Sequence, residues 1–512
     1  MGLWMRSKYQ ELNGPFQSLL LVVAGLLAAV PVGIAVASGG DWLVVVGLVV
    51  VAATIVMLIV PELATLVFSF VLYINGMAIA TNIYGVPNLA AGSFFLILSI
   101  PLAHYIFFRR QPVIFVPVMG LMALWLVVMI LSGIVSQTLE LTQDAIFLYV
   151  TEGMILFILV LNAIRTPEML RRIIWVLLLS GAIMGGLSLY QDLTNTYDNN
   201  YWGLAQVDEM GIFEIGQTAL GDVDRKRLGG PIGSENRYAQ IMLVLFPLAV
   251  FRYWGEREPW LRALAALCAL LIVAGMALTF SRGAAVALVG LLVLMVVWRY
   301  IKISQALVLC LALGLFLSVM TPDYFFRLVS LREVSGLVSS EEGDPDGALR
   351  GRFTSNMAAI VTFAEHPILG VGPGAYFRLY SQSVANELGL RFLTTNRRAH
   401  NLYLEIAADT GIVGLVTFLS IPTVTVLGLW RTRRRWLTAR PEYANMATAL
   451  ILALAGYMAT AVFLHLSYQR YFWFLLALAH AAIVLYQREP EAASPHDPQD
   501  ATGQAVAAGH IQ

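Results

Sequence analysis

The sequence predicts an all-α polytopic membrane protein of about 14 (12–14) transmembrane helices, and three observations carry that prediction. Of 512 residues 59% are hydrophobic and 12% charged, with a mean hydropathy of +0.75, too apolar for a water-soluble core. Apolar runs long enough to cross a bilayer recur along most of the chain. Basic residues gather in alternate connections between those runs.

Composition also removes several function classes. The 32 basic and 32 acidic residues cancel, so no electrostatic case exists for a nucleic-acid partner. Both cysteines, Cys268 and Cys310, lie in apolar runs and show no spacing for a disulfide framework or a zinc site. No metal and no cofactor is expected.

The runs lie near 17–38, 42–60, 63–82, 89–107, 113–134, 146–163, 172–190, 238–252, 260–279, 283–298, 303–320, 402–429, 443–464 and 471–486. At the start, Arg6 and Lys8 precede an apolar stretch from Leu19 that ends near Ala35-Val36-Ala37, a small-residue pattern like a signal-peptidase site. The stretch is long for a signal core and a second run follows Asp41, so it reads as an uncleaved signal anchor. The least secure divisions are the Pro61-Glu62 break and the short run after Arg237.

A cytoplasmic N-terminus places Arg109 and Arg110, Arg165 with Arg171 and Arg172, Arg252 with Arg257 and Arg262, Arg299 with Lys302, and Arg431–Arg435 on one side. The opposite side receives charge-poor turns such as Thr81–Asn88 and Ser136–Asp144 and two long loops. The resulting organisation is N-terminal transmembrane helices over 1–190, a first long loop over 191–237, transmembrane helices over 238–320, a second long loop over 321–399, transmembrane helices over 400–487, and a disordered cytoplasmic tail over 488–512.

Three polar segments interrupt this apolar sequence, and the charge pattern puts all of them at the outer boundary. Residues 225–237, Arg-Lys-Arg-Leu-Gly-Gly-Pro-Ile-Gly-Ser-Glu-Asn-Arg, combine cations able to neutralise phosphate with glycines that let the backbone approach a ligand. The structural alternative is a basic loop resting on lipid headgroups. The second segment, Thr279-Phe280-Ser281-Arg282-Gly283, is a tight break between two spans. There an arginine must face water or an anion, or else snorkel to the interface. A helix N-terminus after Gly283 would add partial positive charge to a bidentate guanidinium.

The third segment is Arg397-Arg398-Ala399-His400-Asn401-Leu402-Tyr403-Leu404-Glu405, continuing to Asp409 and Gly411. On a helix Asn401, Glu405 and Asp409 share one face, making a polar stripe about 12 Å long in an apolar span. Such a stripe must line a cavity or another helix, or its carboxylates pair with neighbouring arginines. His400, at its outer mouth, can take a proton near neutral pH. Gly370-Val371-Gly372-Pro373-Gly374 reads as a turn, Tyr324–Leu331 as an interfacial helix, and His104, His465 and His480 as interface or packing residues.

Taken together, Arg227–Gln240, Ser281–Ala284, Gly370–Gly374 and His400–Gly411 resemble the O-antigen ligase superfamily over about residues 225–430. The resemblance implies a GT-C-like membrane glycosyltransferase taking glycan from an undecaprenyl-diphosphate donor. The acceptor would be a lipid, a glycan or a protein, in lipopolysaccharide or polysaccharide biosynthesis. It implies a bacterial inner membrane with cytoplasmic termini and an extracytoplasmic active site. By the same resemblance Arg282, Arg227 and Arg237 would hold the donor diphosphate. His400 would activate the acceptor hydroxyl, supported by Asn401, Glu405, Ser281, Asn236, Arg352 and Tyr403. The family's first motif often ends in Pro-Asn, whereas here Asn236 precedes Arg237. Arg225, Lys226, Arg227 and Arg237 therefore compete for one role.

The chemistry agrees with that implication: a departing diphosphate needs charge stabilisation and an attacking hydroxyl needs a base. Apart from Glu341–Asp346, no carboxylate cluster with metal-ligand spacing lies in the outer loops, so metal-independent and inverting transfer is expected. The acceptor surface is expected in the 321–399 loop, including Arg350 and Arg352. Two rival readings stand beside a ligase. One is a polymerase with a second lipid-linked glycan as acceptor. The other is a flippase or transporter, whose site would lie nearer the midplane.

Overall fold

A computed structural model of the chain describes residues 55–87, 92–136, 139–207, 227–320, 347–389, 395–466 and 468–488. The expected first span, most of the second, the signal-anchor reading, Arg225 and Lys226, the helix at Tyr324–Leu331, the Glu341–Asp346 cluster and nearly all of the tail lie outside the described residues. The described chain is helical apart from short irregular connections and a two-stranded ribbon. The expectation of a polytopic membrane protein holds: eight helices among the described residues are long and apolar enough to cross a bilayer, or nine with one bent pair.

In chain order the helices are α1 (Pro61–Tyr73), α2 (Gly76–Asn82), α3 (Phe94–Phe108), α4 (Val118–Val135), α5 (Glu140–Ala163), α6 (Pro167–Thr194), α7 (Glu235–Gly255), α8 (Pro259–Ala277), α9 (Arg282–Val297), α10 (Ile303–Met320), α11 (Gly347–Glu365), α12 (Ser381–Glu387), α13 (Leu402–Trp436), α14 (Pro441–Thr460) and α15 (Arg470–Arg488). Strands β1 (Gln206–Val207) and β2 (Leu228–Gly230) pair antiparallel. Pro61 opens α1 at a position where its missing N–H costs nothing. The expected 63–82 span is therefore α1 and α2, bent by 58° at Asn75, whose backbone is left-handed.

Helix α15 is the centre of the bundle: Tyr471 to Ile483 are buried without a break. Helices α5, α6, α13 and α14 pack around it. His480 belongs to this interior, with Nε2 against the Thr425 hydroxyl at 3.0 Å and its ring edge-on to Phe157. Helices α6 and α8 touch at backbone level. A Cβ on Gly275 would sit 2.7 Å from the Gly185 Cα, the small-residue contact by which membrane helices approach closely.

The basic turns meet at one end of this bundle. Glu256 accepts from Arg171, Arg252 and the Trp175 indole, Arg172 pairs with Glu62, and Arg433 lies over the Trp430 ring. All three polar segments lie at the other end, where α7, α9 and α13 begin and α8 and α14 finish. The expected 321–399 loop is not featureless there, since it holds α11, a π-helical turn at Tyr376–Tyr380 and α12. These fold over α13 through a small core of Ala358, Ala359, Val371, Tyr376, Ala385 and Ala408.

Candidate functional site

The first polar segment begins at Arg227 beside β2, whose Leu228 N–H donates to the Leu278 carbonyl at 3.4 Å. The chain then turns, with Pro231 O accepting from the Asn75 amide at 2.9 Å. Helix α7 starts at Glu235, earlier than the expected 238, because an acidic first residue complements the helix dipole. Asn236 and Arg237 therefore belong to the first helical turn and not to the loop. Arg227 is buried, donates from Nε to the Thr279 carbonyl at 2.9 Å and pairs with Glu235.

A polar chain joins this segment to the second. Glu235 also accepts from the Asn236 amide at 3.0 Å, and the Asn236 carbonyl oxygen accepts from the Ser281 hydroxyl at 2.9 Å. The expected break is a tight turn, with Phe280 left-handed and Ser281 capping α9 through the Ala284 N–H. Arg282 is the first residue of α9 and is half-buried.

The third segment is an irregular strap, residues 395–401, pinned on both sides. Asn396 donates to the Arg378 carbonyl at 2.8 Å and accepts from the Gln382 N–H, while the Arg397 N–H donates to the Ser381 hydroxyl at 2.9 Å. Arg398 bonds Glu405 Oε1 at 2.9 Å and lies over the Phe377 ring, and the Ala399 N–H bonds Glu405 Oε2 at 3.1 Å. Asn401 caps α13 by accepting from the Tyr403 and Leu404 N–H groups. Tyr403 reaches across to the Met458 carbonyl at 2.7 Å. Between clamp and cap His400 is left-handed, at φ 51°.

The expected polar stripe is corrected in one respect. Asn401 precedes the helix, and its side chain turns back onto the backbone. Glu405 is taken up by the strap. Asp409 accepts from the Gly374 and Tyr376 N–H groups at 2.9 and 3.0 Å. The stripe therefore fastens the outer segments to α13: Glu405 pairs with an arginine of the strap that precedes it, not of a neighbouring helix, and Asp409 bonds backbone N–H groups and no arginine among its hydrogen bonds to described residues. The 370–374 turn is likewise a docking element, its Val371 and Gly372 N–H groups bonding the Ala408 and Asp409 carbonyls. Removing the clamp, Glu405→Ala, is expected to destabilise by on the order of 1–3 kcal/mol. A lower melting temperature of detergent-purified protein would show it, with Glu405→Gln losing less.

Electrostatics sets the state of His400. Burial pushes its imidazole down to about 4, helped by the charges of Arg352, Arg237 and Arg397 and opposed by Glu235. It is a neutral base at physiological pH. Arg237, buried at the start of α7, thus acts on His400 together with cations of α11 and the strap. His465, which the sequence reads as an interface or packing residue, lies edge-on against His400 with ring centroids 5.8 Å apart. Its position was legible in the topology, because the turn between the last two spans falls on the same side as His400.

All ten predicted site residues are at this end, and hydrogen bonds connect Arg227, Asn236 and Ser281 through Glu235 in one group and Glu405, Asn401 and Tyr403 beside His400 in another. Among the described residues no cluster of three or more His, Cys, Asp or Glu side chains could hold a metal ion. Residues 266–419 match a family model described as O-Antigen ligase. The matched stretch contains the second and third polar segments, while Arg227–Arg237 precedes it. A search of curated proteins finds no match.

Proposed function

We propose that this chain, whose residues 266–419 match the O-Antigen ligase family, is a membrane glycosyltransferase of the ligase or polymerase type that transfers glycan from an undecaprenyl-diphosphate donor to an acceptor hydroxyl on the extracytoplasmic face of a bacterial inner membrane. The observation that carries this reading is His400, a neutral imidazole fixed on a pinned strap and surrounded by arginines from separate segments.

In the proposed reaction the acceptor O–H gives its proton to His400 and its oxygen bonds the anomeric carbon. The bond from that carbon to the diphosphate oxygen breaks, and its electron pair leaves with the diphosphate. Attack opposite the leaving group inverts the anomeric centre, which NMR of the product decides. Arg282, at the positive end of α9, and Arg237 take the developing charge by charge-assisted bonds. Arg227, committed to Glu235 and the Thr279 carbonyl, braces the turn that presents them. These cations supply the stabilisation a metal ion gives elsewhere, so transfer is expected to continue in excess chelator.

Each donor arginine makes a charge-assisted bond worth about 1.5–3 kcal/mol. Arg237→Ala and Arg282→Ala are expected to lower kcat/KM for the donor by at least about tenfold. Arg227→Ala is expected to lower the melting temperature more than either. Unchanged donor kinetics in both Arg237→Ala and Arg282→Ala would defeat the donor assignment.

Ligase and polymerase share this chemistry and differ in acceptor. Arg352 and Arg397 add charge near His400 beyond the two donor arginines, which suits an acceptor that is itself diphosphate-linked. Elongation of the donor with no added acceptor would mark a polymerase.

A further inference from the structure

The connection from α14 to α15 touches every segment of the candidate site. Its Ala461 carbonyl accepts from the Leu402 N–H at 2.9 Å, directly behind His400-Asn401. Phe463 covers Gly283, where an added Cβ would lie 2.8 Å from the ring, and so backs the Ser281-Arg282 turn. The Tyr468 hydroxyl donates to the Ile232 carbonyl at 3.5 Å, on the turn leading to Arg237. His465 stands in the middle of this connection, against the His400 ring.

Two properties of His465 are unlike those of a packing residue. Its Nδ1 is buried and has no hydrogen-bond partner among the described residues. An aromatic ring would fill the place without leaving a polar atom unsatisfied, and such atoms in folded proteins call for an explanation. It also stands among cations: burial, then Arg237, Arg398 and His400, hold its imidazole well below the ordinary histidine value. It is therefore neutral, and a neutral imidazole offers one nitrogen lone pair as acceptor.

Resting on the proposed transfer reaction, we propose that His465 is a positioning residue for His400: its free ring nitrogen accepts a hydrogen bond from the His400 imidazolium formed when the acceptor hydroxyl is deprotonated. The ring centroids are near the separation at which one small rotation brings two ring nitrogens into a hydrogen bond. The proton balance is that of the proposed reaction, since His400 keeps the proton and His465 only shares it. This is the place a carboxylate takes beside the histidine of a hydrolytic triad. Here an uncharged acceptor avoids an ion pair with the neighbouring arginines. The charged groups facing the two rings are Arg237 and Glu235 from α7, Arg352 from α11, and Arg397 and Arg398 from the strap.

The test compares His465→Phe, which keeps the ring, with His465→Asn, which keeps a neutral acceptor, in full-length protein reconstituted in liposomes. His465→Phe is expected to lower kcat at least tenfold with the donor KM unchanged. It is also expected to move the acid limb of the pH profile to lower pH, because an imidazolium without its acceptor gives up its proton more readily. His465→Asn is expected to recover part of the rate and to return the limb toward the wild-type position. Wild-type kcat and pH profile in His465→Phe would overturn the proposal. So would a rate loss with an unmoved pH profile and no recovery in His465→Asn, with both proteins melting as wild type. His400→Asn run in parallel separates the two ideas: if it too transfers normally, the transfer reading itself fails.

Discussion

His400→Ala in protein that still inserts and purifies normally is expected to lose about two to four orders of magnitude in glycan transfer, the usual contribution of a positioned general base. His400 sits in the left-handed region, where asparagine is better tolerated than alanine. His400→Asn therefore keeps the backbone and removes the base, and an equal loss in both variants assigns the effect to the imidazole. The pH dependence follows from the lowered value of about 4. The neutral form is complete well above that pH and disappears as pH falls through it, so kcat/KM for the donor should stay flat to below pH 5 and then drop. A bound diphosphate brings negative charge to the same arginines and removes part of what depresses His400. The acid limb of kcat, measured with donor bound, should consequently lie at higher pH than that of kcat/KM. Coincident limbs would show that donor charge does not reach His400.

The second large effect is on folding. Gly411 interrupts α13 with φ 65° and ψ −167°, a combination confined in practice to glycine. A Cβ there would stand 2.2 Å from the Ile368 carbonyl carbon and oxygen, and a Cβ on Gly370, φ 66°, would stand 2.4 Å from the Asp409 carbonyl carbon. Neither neighbour is a side chain that can swing away. Around this break the Ile412 N–H bonds the Pro367 carbonyl at 2.8 Å, and the Ser132 hydroxyl bonds the Leu369 and Asp409 carbonyls. Gly411→Ala is expected to add left-handed strain to overpacking, each about 1–3 kcal/mol. It should be seen as sharply reduced accumulation of folded protein in membranes. Gly414→Ala, on the regular part of the same helix, tests a different clash, with the Thr410 side chain, and should cost less. Equal accumulation of Gly411→Ala and wild type would contradict the docked arrangement of α13.

Much of this was legible in the sequence because lipid imposes simple rules. Apolar length marks the helices, and every expected span from 63–82 onward has a helical counterpart. Separation of the basic turns from the three polar segments also survives in the structure. The glycine turn at 370–374 showed its bend but not its partner, since bonds to Ala408 and Asp409 depend on chain brought from far along the sequence. The same limit applies to Arg227. Its charge suggested a phosphate ligand, while its burial against Glu235 and the Thr279 carbonyl is a product of tertiary folding. The sequence reads His465 as an interface or packing residue because no motif surrounds it: the topology puts its turn on the side of His400, but the contact between the two rings is a product of tertiary packing.

The most direct test of the central claim is release of undecaprenyl diphosphate from purified protein in liposomes, given an undecaprenyl-diphosphate oligosaccharide, an acceptor and excess chelator. The account predicts stoichiometric release with glycan appearing on the acceptor in wild type, and neither in His400→Asn. Movement of intact donor across the bilayer without cleavage would contradict it.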